Sequence, residues 1–151
     1  MSDDLTKKIV ICDIDGTIAN NDHRQHLLEG FKDWDKFFDQ MSLDKPINPV
    51  INLVKKMQKE GNEIAFLTGR PERYRPNTTK WLKKYFYFNF SLTMRKDDDT
   101  RNKLEIKNEL FQENFSSSQI ECCLENDLSL VKLWKELGLR VIDANKVGLK
   151  S

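Results

Sequence analysis

Two aspartates separated by a single residue, Asp13 and Asp15, follow the apolar run of residues 9–12 and precede Gly16 and Thr17. Carboxylates this close repel each other, so either the pKa of one rises or a cation lies between them. One interpretation is an Asp-rich turn in which side-chain oxygens bond the local backbone. The other is a phosphoryl-transfer site with an aspartate nucleophile, an aspartate acid/base and Mg²⁺.

The two aspartates suit different steps of phosphoryl transfer. Asp13 can attack phosphorus because a carboxylate is ionised at neutral pH and needs no base to activate it. Asp15 can protonate the leaving oxygen and later activate a water molecule. Mg²⁺ binds oxygen ligands and usually takes one or two carboxylates. We therefore expect Asp13 and the polar segment 125–127 to hold it, with Glu125 and Asn126 as candidate ligands.

Two more apolar runs end in polar residues. Thr68, Gly69 and Arg70 follow one of them, and the segment 125–127 follows another. Because ligands of parallel sheets bind beyond the carboxyl ends of the strands, we expect these groups to converge with the aspartates. The Thr68 hydroxyl and the amides of Gly69 and Arg70 would then hold phosphate oxygens, helped by the positive end of the following helix.

Lys107 lies on a predicted helix in a stripe with Leu104 and Phe111, at positions i, i+3 and i+7. A lysine on a core-facing stripe must either extend its ammonium group to solvent or find an anionic partner. At the sheet edge that partner would be the nucleophile or the transferred phosphoryl group. We expect Lys107 to stabilise the reacting group, with a solvent-extended lysine as the alternative.

Apolar runs alternate with helical patterns along the chain, which predicts a parallel α/β sheet with right-handed crossovers. The expected architecture is three-layered and Rossmann-like, with about five strands and helices on both faces. The predicted strands are residues 9–12, 64–67, 90–94, 120–124 and 141–142. The predicted helices begin near residues 34, 48, 77, 101 and 130, and segment 20–30 is predicted to be a loop.

The length of 151 residues fits one domain over residues 1–151, with residues 1–6 as a flexible arm. The segment between residues 17 and 48 is too short for a large cap. Hydrophobic residues make up 38% of the chain, charged residues 32%, and the formal net charge is +1. A globular protein without a global basic field is therefore expected.

Residues 70–84 depart from this charge balance, with six basic residues against one acid. Tyr74, Trp81 and Tyr85 lie in or beside the stretch. It is either a polyanion-binding surface or a solvated amphipathic helix.

Two groups between the first and second predicted strands have weaker chemical interpretations. His23 and His26 have no third ligand nearby, and we do not expect them to bind metal. Trp34, Phe37 and Phe38 fit either a hydrophobic core or a base-stacking surface.

Three cysteines, Cys12, Cys122 and Cys123, lie in apolar runs without metal-ligand spacing. This pattern indicates buried thiols in a reducing compartment. The sequence shows no signal peptide and no apolar stretch long enough to span a membrane, so we expect a cytoplasmic protein without a membrane partner.

Taken in order, residues 13–17, residues 68–70, Lys107 and residues 125–127 resemble the four motifs of the haloacid dehalogenase superfamily of phosphotransferases. The chain looks closer still to the phosphatase domain of phage-type polynucleotide kinase, over about residues 7–143. Shared stretches are Asp-Gly-Thr-Ile-Ala at 15–19, Leu-Thr-Gly-Arg-Pro-Glu-Arg-Tyr-Arg at 67–75, Thr-Lys-Trp-Leu at 79–82, Met-Arg at 94–95, Asp-Thr-Arg at 99–101 and Ile-Lys at 106–107.

The resemblance implies a role for each matched residue. Asp13 would form an aspartyl-phosphate, and Asp15 would act as acid/base and offer Mg²⁺ its backbone carbonyl. Lys107 would stabilise the phosphoryl group, while Arg24 and Arg70 would contact substrate. The implied fold is a haloacid dehalogenase-type domain without a large cap, and the implied cofactor is Mg²⁺.

The resemblance also bears on partners. The sequence has no Gly-x-x-x-x-Gly-Lys-Ser/Thr loop. We therefore expect a phosphatase domain without a kinase half, in the cytosol of a bacterium or of a cell infected by a phage or another virus. A separate kinase or ligase is the partner that this expectation suggests.

Two departures from the family pattern bear on the site. The family usually has Asp-Asp-Arg where this chain has Glu125, Asn126 and Asp127. Asn126 offers Mg²⁺ an uncharged oxygen, so we expect weaker metal affinity unless its neighbours compensate. The family also tends to place an acid four residues before the motif lysine, where this chain has Lys103. Two cations one helical turn apart repel each other, which predicts a lowered pKa for Lys107 or an outward-turned Lys103.

Three functions remain open at this point. The first is a Mg²⁺-dependent phosphomonoesterase of nucleic-acid ends, in particular of a 3′-phosphate, because an open site suits a large substrate. The second is a phosphatase of small nucleotides or other small phosphoesters, favoured by the near-zero net charge. The third is a degenerate module that binds nucleic-acid ends or a partner protein, suggested by the altered fourth motif.

Overall fold

The computed structural model describes residues 7–30 and 32–148; the predicted arm at residues 1–6 lies outside these ranges. In chain order the strands and α-helices are β1 (Ile9–Cys12), β2 (Ala19–Asn20), α1 (Trp34–Asp39), β3 (Lys45–Pro46), α2 (Asn48–Lys59), β4 (Glu63–Pro71), α3 (Arg75–Tyr85), β5 (Ser91–Arg95), α4 (Lys103–Asn114), β6 (Ile120–Glu125), α5 (Leu128–Glu136) and β7 (Val141–Asp143).

Five of the strands form one parallel sheet in the order β5-β4-β1-β6-β7, which confirms the predicted architecture. β1 lies in the centre, so the residues that follow it leave the middle of the sheet's carboxyl edge. Its side chains alternate between two cores, as in any strand. Val10 and Cys12 belong to the core that includes α2 and α3, and Ile11 belongs to the core that includes α4 and α5.

Two segments differ from the sequence-based expectation. The predicted loop at residues 20–30 contains a 3-10 helix, Asp22–Leu28, whose tight turn leaves no α-helical hydrophobic period to detect. β4 continues to Pro71, four residues past its predicted end, with a shift of register against β5 between Leu67 and Pro71. The motif at residues 68–70 therefore lies inside an irregular strand end rather than in a loop.

The cysteines behave as small core residues. All three are free and buried, as predicted. Burial raises the pKa of each thiol, to about 11 for Cys122 and about 12 for Cys123. Among residues 7–30 and 32–148, no helix is long and apolar enough to cross a membrane.

Candidate active site

The chain turns sharply after β1, at the carboxyl edge of the sheet. The carbonyl oxygen of Ile14 accepts hydrogen bonds from the amides of the third, fourth and fifth residues after it. Gly16 has a φ of +81°, in the left-handed region, and a Cβ there would lie 2.3 Å from Nδ2 of Asn126. A glycine is therefore needed both for the turn and for the close approach of the Asn126 side chain.

Asp13 is buried, with 7% exposure, and both of its carboxylate oxygens accept hydrogen bonds. Oδ1 accepts from Nζ of Lys107 at 2.5 Å, and Oδ2 accepts from Oγ1 of Thr17 at 2.9 Å. Burial and the charge of Glu125 raise the pKa of Asp13 to about 7, against the opposite effect of Lys107. The protein side chains alone therefore supply less positive charge than a buried carboxylate requires.

Lys107 has the anionic partner that its position on the helical stripe predicted. It lies on α4, buried, and its Nζ is also 3.3 Å from Oε1 of Glu125. Burial lowers the pKa of Lys107, but Asp13 and Glu125 outweigh burial and raise the pKa above its usual value. Because Lys107 is buried, its ammonium group does not extend to solvent. Its pKa is raised, not lowered as repulsion from Lys103 would require. Within the stripe, Phe111 is buried whereas Leu104 is exposed.

Glu125 ends β6 and turns inward, where it is 2% exposed. Its Oε1 accepts from Nζ of Lys107 and from Nε1 of Trp134, at 3.3 and 3.4 Å. Its Oε2 accepts from the amides of Asn126 and Asp127, at 3.2 and 3.3 Å. The structure therefore engages this expected metal ligand with Lys107 and with the backbone of the loop after β6.

Asp15 lies in a different electrostatic environment. Nε and Nη2 of Arg70 donate to its two carboxylate oxygens at 3.0 and 2.8 Å, and Nη2 of Arg24 donates at 2.8 Å. Burial raises the pKa of Asp15, but the two guanidinium groups outweigh burial and lower it to about 2. The Asp15 side chain keeps 26% exposure, so a molecule at the sheet edge can reach it.

Arg24 and Arg70, which the resemblance places on substrate, are fully buried. Both also bind the buried carboxylate of Asp44, which accepts from Nε and Nη2 of Arg24 at 2.9 Å and from Nη2 of Arg70 at 3.2 Å. Nε2 of His23 lies 2.7 Å from the same carboxylate. The structure therefore places both arginines where they orient Asp15, and it engages His23 with Asp44.

Thr68 and Gly69 lie near the end of β4, whose register against β1 brings Thr68 level with the turn after β1. Thr68 is 1% exposed, and its Oγ1 accepts from the amide of Arg70 at 3.1 Å. The carbonyl oxygen of Gly69 accepts from Nε of Arg95 at 2.8 Å. One of the two amides expected to hold phosphate is thus already bonded within the strand.

Sequence reasoning missed two residues beside the site, Asp44 and Arg95. Arg95 falls in one of the stretches shared with the resembled family, which was a usable signal. Asp44 is a lone acid before β3, and nothing around it marks it as the buried carboxylate that binds two arginines. Such a residue becomes visible only when distant segments are brought together.

Oxygen donors suited to Mg²⁺ converge at this edge. The Thr17 hydroxyl is 2.9 Å from Oδ2 of Asp13 and 3.2 Å from Oδ1 of Asn126, so both oxygens lie near one small group. The carbonyl of Asp15 belongs to the same turn. Across residues 7–30 and 32–148, no three His, Cys, Asp or Glu side chains are grouped to bind a metal. Asp13 and Asn126 therefore bring a carboxylate oxygen and an amide oxygen, both of which suit Mg²⁺, close together at this edge.

Lys103 turns outward and binds Asp127, with Nζ 2.5 Å from Oδ2. Asp127 also caps α5, where its side chain accepts from the amides of Ser129 and Leu130. Burial raises the pKa of Asp127, but Ser129 and Lys103 lower it to about 2. The family pattern has an acid before the motif lysine and an arginine after β6; this chain has Lys103 and Asp127 at those positions, and the two form an ion pair.

The basic stretch at residues 70–84 does not form one surface. Trp81 is buried, as is Arg70, and Nε1 of Trp81 donates to the carbonyl of Asp44 at 2.9 Å. α3 connects the carboxyl end of β4 to the amino end of β5, so its later lysines lie toward the opposite edge of the sheet. Only the beginning of α3 lies near the aspartates.

Fold and site together define an α/β phosphatase of the haloacid dehalogenase type. A solved structure with this fold is the class C acid phosphatase from Bacillus anthracis with tungstate bound. The two align with a TM-score of 0.62 and 16% identity, over 91% of this chain and 66% of that chain. At this level of identity the likeness shows the shared fold.

More particularly, the family of the polynucleotide kinase PNKP phosphatase domain matches residues 7–147, and the chain belongs to that family. A chain in the structure of the Pnkp1/Rnl/Hen1 RNA repair complex is 31% identical, with a TM-score of 0.75 over 91% of this chain and 42% of that chain. A second Pnkp1/Rnl/Hen1 structure gives 30% identity and a TM-score of 0.74, over 90% and 45%. This chain thus spans less than half the length of those relatives. Among curated proteins, none matches the sequence significantly.

Proposed function

We propose that this phosphatase domain removes 3′-phosphates from polynucleotides, with Mg²⁺ as cofactor and an aspartyl-phosphate on Asp13 as intermediate. The observation that carries the proposal is the buried Asp13 carboxylate with the ammonium group of Lys107 2.5 Å away. A nucleophilic carboxylate must stay ionised before attack, and the phosphoryl group that it receives must be stabilised afterwards. The ammonium group of Lys107 serves the second requirement, and together with Mg²⁺ it would serve the first.

In the first step an oxygen of Asp13 attacks phosphorus, and the bond from phosphorus to the terminal oxygen of the polynucleotide breaks. That oxygen takes a proton from Asp15. On its own Asp15 is ionised at neutral pH, because its pKa is about 2. The negative charge of an incoming phosphate raises the pKa of a neighbouring carboxyl group, so substrate binding favours the protonated form.

In the second step Asp15 accepts a proton from water as the water oxygen attacks phosphorus. The bond from phosphorus to Asp13 breaks, and inorganic phosphate is released. Lys107 donates to phosphoryl oxygens in both steps, and Glu125, 3.3 Å away, fixes the position of the ammonium group. Arg24 and Arg70 hold the Asp15 carboxyl group in one orientation throughout.

Asp13, the backbone carbonyl of Asp15 and Oδ1 of Asn126 are the ligands that we propose for Mg²⁺. The ion, when bound, would neutralise charge on the phosphate oxygens and favour the ionised form of Asp13. Glu125, which the sequence suggested as a ligand, is assigned instead to holding Lys107, because both of its oxygens are engaged inside the protein.

A polynucleotide substrate is supported by membership of the polynucleotide kinase phosphatase family. RNA ends in particular are supported by the similarity to chains of an RNA repair complex. A kinase or ligase acting on the same broken strand is the partner class that this similarity suggests.

The test is phosphate release from 3′-phosphorylated RNA and DNA oligonucleotides and from a mononucleotide 3′-phosphate. Each is measured with and without Mg²⁺, in the wild type and in Asp13→Asn. We expect Mg²⁺-dependent release that favours an oligonucleotide and is absent from Asp13→Asn. Release that is unaffected by the substitution, or by removal of Mg²⁺, would contradict the proposal.

A phosphatase of small nucleotides is the second candidate. It is favoured by the net charge of +1 and by the burial of Arg24 and Arg70. Both arginines bind carboxylates inside the protein, so neither is exposed to the phosphates of a polynucleotide. Salt separates the two candidates, because affinity for a polynucleotide falls steeply with salt concentration as counterions compete for phosphates. A KM that is insensitive to salt for every substrate favours this second candidate.

A further inference from the structure

Three aromatic side chains, Trp34, Phe38 and Tyr74, form a continuous surface that we call the aromatic wall. Trp34 stacks on Phe38 with ring centroids 6.0 Å apart and an interplanar angle of 24°. Phe38 packs against Tyr74 with centroids 5.2 Å apart and an angle of 32°. The wall therefore joins α1, which precedes β3, to the short 3-10 helix that follows β4.

One end of the aromatic wall is open to solvent. Trp34 is 48% exposed, whereas the other two tryptophans of the chain, Trp81 and Trp134, are 2% and 1% exposed. Phe38 and Tyr74 are half-buried. Single exposed apolar residues are ordinary, but adjoining aromatic rings at the surface are typical of a binding site.

Phe37 connects the wall to the acid/base group. Its ring centroid lies 4.2 Å from Cζ of Arg24, and its carbonyl oxygen accepts from Nη1 of Arg24 at 3.0 Å. Nη2 of the same arginine donates to Asp15 at 2.8 Å. Phe37 packs against both Trp34 and Phe38, with ring centroids 5.8 and 5.2 Å apart, so the aromatic wall is connected to Asp15 through Phe37 and Arg24.

Two cations lie against the wall. Nζ of Lys32 is 5.8 Å from the ring centroid of Trp34, and Cζ of Arg73 is 5.0 Å from that of Tyr74. Arg73 is paired with Asp35 at 3.3 Å and with Asp97 at 3.6 Å, whereas Lys32 lies at the exposed end. Aromatic rings with cations over their faces combine a stacking surface with positive charge, as a single-stranded nucleic acid requires, because its bases alternate with phosphates.

We propose that the aromatic wall binds unpaired bases of the polynucleotide next to its phosphorylated end, with Lys32 and Arg73 near the adjoining phosphates. The proposal rests on the 3′-phosphatase function and adds which part of the substrate is recognised. A base on an aromatic side chain contributes roughly 5- to 150-fold in affinity. A fully paired end offers fewer free base faces, so the wall would favour single-stranded ends.

The first test compares two substrates, a single-stranded 3′-phosphorylated oligonucleotide and glycerol 2-phosphate, which has no aromatic ring. In Trp34→Ala we expect the ratio of kcat/KM for the oligonucleotide to that for glycerol 2-phosphate to fall by about ten-fold, mainly through KM. Trp34→Phe keeps a ring and should recover most of the ratio. The matched control is Tyr87→Ala, because Tyr87 is 89% exposed and lies between α3 and β5, at the opposite edge of the sheet.

The second test uses the fluorescence of Trp34, the one tryptophan of the three that solvent reaches freely. An Asp13→Asn protein binds substrate without turning it over. Titration with the oligonucleotide should quench its fluorescence, and the same titration of the Asp13→Asn, Trp34→Phe protein should lose that quench.

The outcomes separate the two proposals. If Trp34→Ala leaves the ratio of the two kcat/KM values unchanged, as it would after an equal loss on both substrates, the proposed role of the aromatic wall is wrong. The 3′-phosphatase function would still stand. Hydrolysis of glycerol 2-phosphate by a wild type that releases nothing from the oligonucleotide overturns the 3′-phosphatase function. In that case an absent quench overturns the wall as well.

Discussion

Asp13 and Asp15 are separated by one residue, yet their carboxyl groups lie in opposite electrostatic environments. Asp13 is buried beside Glu125 with one cation, Lys107, and its pKa is raised to about 7. Asp15 is held by two guanidinium groups, and its pKa is lowered to about 2. The pKa values of two nearly adjacent carboxyl groups are therefore set by partners from distant parts of the chain, not by their own spacing.

The two environments also differ in what they leave incomplete. Around Asp15 the charges are matched inside the protein, because Asp44 balances the second charge of the arginine pair. Around Asp13 two buried carboxylates share one lysine. A divalent cation would thus complete the charge balance around Asp13, whereas the charges around Asp15 are already matched.

Replacement of Lys107 should have the largest effect on activity. Lys107→Met leaves Asp13 and Glu125 without a cation, so we expect kcat to fall by about a hundred- to a thousand-fold, about 3–4 kcal/mol. Phosphate release by purified protein measures this. The matched control is Lys132→Met on the exposed face of α5, which should keep wild-type activity. A loss of less than about ten-fold in Lys107→Met would contradict the assigned role.

Asp44→Asn disrupts the ion pairs beside Asp15 with almost no change in side-chain shape. It removes the charge that balances Arg24 and Arg70, and breaking a buried ion pair typically costs about 3 kcal/mol or more. We expect the free energy of unfolding in urea to fall by about that amount. Asp39→Asn, an exposed aspartate at the end of α1, is the control that should change little. Equal effects of the two substitutions would show that the Asp44 network contributes nothing to stability.

The pH dependence of stability should differ in sign between the two aspartates. Asp15 has a pKa lowered from 3.8 to about 2, so its stabilisation is complete above about pH 4 and is lost as the pH falls toward 2. That loss amounts to about 2 kcal/mol. Asp13 has a pKa raised to about 7, so its ionisation removes stability as the pH rises from about 4 to 7.

Urea unfolding in Mg²⁺-free buffer, from about pH 3 to pH 8, measures both slopes. Asp15→Asn should be less sensitive to acid than the wild type. Asp13→Asn should lose the decline toward neutral pH. Identical pH profiles for the two variants would remove the basis of the comparison.

Loss of the ion pair between Lys103 and Asp127 should have the smallest effect on stability. The pair is partly exposed, so we expect a coupling energy of about 0.5–1 kcal/mol. In a double-mutant cycle for unfolding, Lys103→Met and Asp127→Asn each remove the attraction without adding a repulsion, so their separate effects should sum to more than the effect of the double variant by the coupling energy. Asp127→Asn keeps a side-chain oxygen for the α5 cap. Strict additivity would show that the contact has no energetic role.

Sequence reasoning predicted most of the fold, because five apolar runs alternating with helical patterns leave few alternatives to a parallel sheet. It also predicted that Lys107 would point inward, since the residue lies on a stripe with Phe111. It did not find Asp44 or the inward turn of Glu125. Both depend on side chains of other elements, Arg24 for Asp44 and Lys107 for Glu125. A local hydrophobic pattern predicts which face of a helix or strand a residue lies on. It does not predict which side chain of another element the residue will contact.

The surface was the least predictable part. Residues 70–84 have the composition of a nucleic-acid-binding stretch, yet Arg70 and Trp81 are in the interior. Trp34 and Phe37 share one short helix, but the first is exposed and the second is buried. A six-residue helix has too few turns for a hydrophobic period to distinguish its faces.

Trapping the phosphorylated protein would show whether Asp13 carries the phosphoryl group while Asp15 transfers the proton. p-Nitrophenyl phosphate has a leaving group that needs no proton, so Asp15→Asn should still transfer phosphate to the protein but fail to activate water. Acid quench followed by mass spectrometry of peptides should show a phosphoryl group on Asp13, accumulating in Asp15→Asn and absent from Asp13→Asn. Phosphate release without any phosphorylated peptide, or with the group on another residue, would contradict the account.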